Sequence, residues 1–101
     1  MMTFETKDKK ILLMAYGKDK DIYLGATHDN RVWKHYKVVA GADPHQVFGM
    51  CQFKNKVVIA YSTNKQSNDN GYQLCYAYSG DPELASSWTD RTIKNYNGKN
   101  D

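Results

Sequence analysis

The sequence predicts an all-β fold of two four-stranded antiparallel units. Three observations predict it. The apolar runs are short and bounded by Gly, Asn, Asp and Lys turns; Ile11–Tyr16, the longest, is of strand length. Several segments alternate with a period of two, as a half-buried strand does. Finally, the two halves of the chain repeat one another.

Taken in order, Met1–Asp8 alternates loosely, with Met2, Phe4 and Thr6 on one side, and reads as a weak strand. Ile11–Tyr16 is a continuous apolar run that fits a strand covered on both faces. Gly17–Lys20 is short enough for a hairpin, and Asp21–Thr27 alternates after it. His28-Asp29-Asn30 is a turn of residues that bond their own backbone. Trp33–Val39 is the next strand, with Trp33, His35, Lys37 and Val39 facing one way.

Ala40–Pro44 breaks the pattern, since Pro44 lacks an amide proton and restricts Asp43; it reads as the crossing between units. Val47–Phe53, a Lys54-Asn55 turn and the β-branched run Val57–Ser62 follow. The polar stretch Thr63–Asn70 closes on Asn70-Gly71, and Tyr72–Ser79 alternates again. Trp88–Ile93 is the last expected strand, and Asn95–Asp101 is polar. At 101 residues one domain is expected, made of repeats at about 2–39 and 47–94.

Leu12–Tyr16 aligns without gaps on Val57–Tyr61. Ala26–Asp29 aligns on Tyr78–Asp81, Trp33 on Trp88, and Val38 on Ile93. A period of this size holding four short strands is that of a β-propeller blade. Thr27-His28-Asp29 with Trp33, and Ser79-Gly80-Asp81 with Trp88, carry the resemblance further. They are similar to the Asp-box turns of sialidase-like and furanosidase-like β-propellers, without the glycine after the Asp. The resemblance implies two propeller-type blades, with Thr27, Asp29, Ser79 and Asp81 as structural turn residues. Two blades do not close a ring, so it also implies a homo-oligomer or a part of a larger propeller.

Function follows that expectation. Sugar rings stack on aromatics, and the set Trp33, Trp88, Tyr76 and Tyr78 with Arg31 and Arg91 offers a glycan site. This predicts a lectin-like module completed by self-association. The alternatives are a fragment of a glycoside hydrolase propeller and a non-catalytic structural or protein-binding domain. A sialidase needs several arginines around its carboxylate substrate, and this chain has two. A glycosidase needs two opposed carboxyl groups; Asp43 is a weak catalytic candidate with no evident partner. His28, His35 and His45 lack metal-ligand spacing, and no cofactor motif occurs.

The formal charge of +3 is spread along the chain with no basic stripe on one element, so nucleic acid is not expected as a partner. No apolar run is long enough to span a bilayer, and the N-terminus lacks the apolar stretch of a signal peptide, which fits a cytoplasmic protein or a piece of a secreted one. Cys51 and Cys75 fall on strands separated by a third, roughly 9–10 Å apart, which predicts two free thiols.

Overall fold

A computed structural model describes residues 1–63 and 72–96. Its strands are β1 (Met2–Glu5), β2 (Lys10–Lys18), β3 (Asp21–Thr27), β4 (Lys34–Val39), β5 (Pro44–Phe53), β6 (Lys56–Thr63), β7 (Tyr72–Ser79) and β8 (Thr89–Tyr96). A short 3-10 turn, Ala85–Ser87, precedes β8. The strands form two four-stranded antiparallel sheets, in the orders β1-β2-β3-β4 and β5-β6-β7-β8. Most of the polar stretch Thr63–Asn70, with Gly71, and the chain end lie outside the described residues.

The hairpins are set by local chemistry. At the β2–β3 turn Asp19 and Lys20 have φ of 53° and 70°, the pair of left-handed residues that a two-residue hairpin matched to strand twist requires. Lys20 is a costly choice there, because a Cβ in the left-handed region is strained by roughly 1–2 kcal/mol. Lys54, at φ 56°, turns β5 into β6. Pro44 does not end the preceding unit in a loop, as the sequence suggests; it is the first residue of β5, where its missing N–H is tolerated. A register shift between Ile22 and Tyr23 places Val39 opposite Ile22 and Lys37 opposite Tyr23. Both Val38 and Val39 are therefore buried, and the simple alternation expected for that strand fails. Trp33 falls just before β4 rather than within it.

One core joins the sheets. Phe4, Ile11, Leu13, Ile22, Leu24 and Ala26 from the first sheet pack with Val57, Ile59, Tyr61, Cys75 and Ala77 from the second. Burying each large aliphatic side chain contributes about 1.5–3 kcal/mol. Gly17 lets the sheets approach, since a Cβ there would lie 2.9 Å from Pro44 Cγ. The Gln52 side chain ties the edge of β1 to β5 by accepting from Glu5 N at 2.9 Å and donating to Glu5 O at 2.6 Å, as a backbone ladder would. His28 and Tyr36 meet the Glu83 carboxylate, and Lys9 meets Asp81, so polar contacts clamp the sheets beyond the core.

This architecture corrects the propeller expectation. The sheets are open, with neither the curling nor the closure that propeller-type blades require. The outward face of the second sheet gives a physical reason. Its ladder positions match those of the first sheet's buried face: Ile11 corresponds to Lys56 and Tyr36 to Arg91. A further sheet packed dry on that face would bury two cations that form no ion pair among the described residues, at a cost of several kcal/mol per ion.

Candidate functional site

The two turns compared with Asp-boxes are built differently. In the first, Asp29 Oδ1 accepts from Arg31 N at 2.9 Å and from Val32 N at 3.0 Å, and the Thr27 hydroxyl donates to it at 3.2 Å. These donors, the Val32 and Arg31 amides foremost, hold the Asp29 carboxyl below its usual range. In the second, serine does this work. Ser79 Oγ accepts from Asp81 N at 2.9 Å, while Ser87 Oγ bonds Ser79 Oγ and the carbonyls of Asp81 and Leu84. The Asp81 carboxylate turns away to Lys9, 3.4 Å distant. The two sites share residue types but not geometry, so they are not copies of one Asp-box.

The glycan set separates in the same way. Trp88 packs against the core, and its Nε1–H donates to Pro82 O at 3.1 Å, which makes it scaffold. Arg31 is an exposed turn residue of the first sheet, beside half-buried Trp33. Arg91 is a strand residue of the second sheet. The two arginines therefore do not line equivalent sites. Tyr76, Tyr78 and Arg91 do come together, because β7 and β8 place Tyr76 directly opposite Arg91.

Asp43, the weak catalytic candidate, has φ 46° and its N–H donates to Lys20 O at 2.8 Å. It lines a cleft of about 360 Å³ with Gly17, Lys18, Asp19, Lys20, Pro44, Gln46 and Val47. Asp19 is thus a second carboxylate in that cleft, which sequence spacing did not reveal. Both acids sit at turn positions and both are accounted for by the turns. Among the described residues no group of three His, Cys, Asp or Glu side chains could hold a metal ion. Also among the described residues, no helix is long and apolar enough to cross a membrane. Cys51 and Cys75 are both free thiols, Cys51 exposed and Cys75 buried.

The surface that stands out is the outward face of the second sheet. Strand pairing aligns Gly49, Cys51 and Phe53 of β5 with Ala60, Val58 and Lys56 of β6, then with Tyr76 and Tyr78 of β7, and these with Arg91 and Thr89 of β8. A bulge between Val47 and Gly49 turns Phe48 onto this face. There it borders an apolar groove of about 230 Å³ with Gly49, Met50, Cys51, Val58 and Ala60. Phe48 is 53% exposed and Phe53 63% exposed. A second hollow, of about 560 Å³, lies at the β5–β6 turn among Phe53, Lys54, Asn55, Lys56 and Gly80. The Tyr76 and Tyr78 rings stack at 5.9 Å and 20°. Lys56 Nζ lies 5.2 Å from the Tyr78 centroid, and Lys54 Nζ 5.6 Å from that of Phe53.

Comparison with protein-family models, with curated proteins and with solved structures finds no match for this chain. The lectin and the glycoside hydrolase fragment both depended on the propeller resemblance and on closure of a ring of sheets. With open sheets, dissimilar turns and no family match, neither stands.

Proposed function

We propose that the chain is a non-catalytic binding domain whose contact surface is the outward face of its second sheet. The observation that carries this is the side-chain content of that face. It gathers Phe48, Phe53, Val58, Tyr76 and Tyr78 into one apolar and aromatic surface. Contiguous apolar and aromatic surface of this kind marks interaction sites in native chains. The groove is shallow and has no buried acid–base pair, which suits adhesion to a flat partner rather than chemistry on an enclosed substrate.

Anilinonaphthalene sulfonate, an apolar aromatic anion, tests the surface directly. The native protein is expected to bind it with a fluorescence rise. Val58→Glu, which puts a like charge beside the dye's sulfonate, is expected to abolish the rise while leaving the circular dichroism spectrum unchanged. No binding by the native protein, or undiminished binding by the folded variant, contradicts the proposal.

A further inference from the structure

We infer that the occupant of this face is single-stranded nucleic acid, an inference that rests on the binding-domain proposal above. It reverses what the sequence suggests. No single element carries a basic stripe, but the fold assembles one from three places: Lys54 at the turn, Lys56 on β6 and Arg91 on β8. None of the three forms an ion pair among the described residues. The strand residues that share the face, from Gly49 through Arg91, include no Asp or Glu.

Aromatic rings interleaved with unpaired cations on an open sheet are what single strands require. Bases stack on the rings, and the cations track the phosphates. The Lys56 ammonium over Tyr78 and the Lys54 ammonium over Phe53 lie within reach of both. A base that takes the ring face releases the ammonium toward the phosphate that follows. The strand residues from Phe48 to Phe53 run roughly 16 Å at the usual rise, enough for a short run of nucleotides.

The outward face of the first sheet supplies the contrast. Tyr16 and Tyr23 stack at 5.7 Å there too, but Lys37 is paired with Asp21 at 3.3 Å and the Tyr16 hydroxyl is bonded to His35 at 2.8 Å. The Lys37 charge and the Tyr16 hydroxyl are answered within the protein, and Glu5 and Asp21 place carboxylates on that face, where the second sheet has none among the described residues. A second copy of this chain fits the second sheet poorly for the reason given above: Lys56 and Arg91 would be buried without partners.

The test is fluorescence anisotropy of a short labelled oligothymidylate, titrated with the whole chain over a range of salt. Three phosphate contacts predict a slope of log K against log salt of about −2, at roughly 0.7 per contact for a single strand. Tyr76→Ala and Tyr78→Ala should each weaken binding about tenfold. Lys56→Gln with Arg91→Gln should reduce the slope by about 1.4, twice the single-contact value. Lys37→Gln should change nothing.

The inference is overturned by no binding at low salt, by competition by polyglutamate as effective as by unlabelled oligothymidylate, or by equal loss in Lys37→Gln. If the sulfonate dye binds this face and the oligonucleotide does not, the inference falls and the binding-domain proposal stands. If neither binds, both fall. A concentration-dependent dimer that excludes the oligonucleotide from the face also overturns the inference, in favour of a second copy.

Discussion

The inward face of the first sheet and the outward face of the second occupy corresponding ladder positions, yet one is dry and the other is wet. Phe4, Ile11, Leu24 and Ala26 are buried in the core. Their counterparts Phe53, Lys56, Tyr76 and Tyr78 reach solvent. The same strand geometry therefore serves as scaffold in one sheet and as surface in the other. Three of the four counterparts, Lys56, Tyr76 and Tyr78, carry a charge or a hydroxyl that water satisfies, where Ile11, Leu24 and Ala26 carry none.

Substitutions can break this contrast in order of their effect. Ile59 is wholly buried, and Ile59→Ala should cost about 2–5 kcal/mol in denaturant unfolding. Phe48 is equally apolar but half exposed, and Phe48→Ser should change stability by no more than about 0.5 kcal/mol. Equal losses at the two positions would mean that the outward face is packed. Gly17→Ala comes next, because its Cβ would press on the rigid ring of Pro44; about 1–3 kcal/mol is expected. Gln52→Ala removes the two bonds that join β1 to β5 and should cost about 1–2 kcal/mol, with amide exchange rising first at Glu5.

The smallest effect concerns pH. The folded state depresses the Asp29 carboxyl through the Val32 and Arg31 amides. Its contribution is therefore present above the unfolded-state value, near 4, and is lost as pH falls through the lower folded-state value. Asp21 behaves alike, held down first by the Gly41 amide and then by Lys37. Asp29→Ala should be less stable than the native chain at neutral pH, and the gap should narrow on acidification below about pH 4. A gap that stays constant with pH would remove the carboxylate from the turn's account. At the other extreme, burial pushes the Tyr61 hydroxyl upward, so stability present at neutral pH should be lost as pH rises beyond about 10, and Tyr61→Phe should escape that loss.

Much of the strand pattern was legible because alternation is a strong signal. Val57, Ile59 and Tyr61 are buried while Lys56 and Val58 are not, as a period of two dictates. Where the signal was misleading, a local feature outweighed it. The bulge at Ile22 and Tyr23 buries two successive valines, and Pro44 opens a strand that its type seemed to forbid. The 3-10 turn at Ala85–Ser87 has no periodicity to betray it. The resemblance in the turns came from shared residue types, whereas their bonding depends on which oxygen faces the open amides; that is Asp29 in one and Ser79 in the other. The basic aromatic face was illegible for a different reason. Lys54 and Lys56 are neighbours in sequence but Arg91 is far from them, and only the register of β6, β7 and β8 brings it to the same side.

Thiol reactivity tests most directly the claim that the second sheet has one covered face and one open one. Cys51 lies on the open face opposite Val58, and Cys75 lies on the covered face opposite Tyr61. In the native protein an aromatic disulfide reagent should modify one thiol rapidly, at Cys51, and the second only as fast as the protein unfolds. Rapid modification of both, or protection of both, would contradict the account.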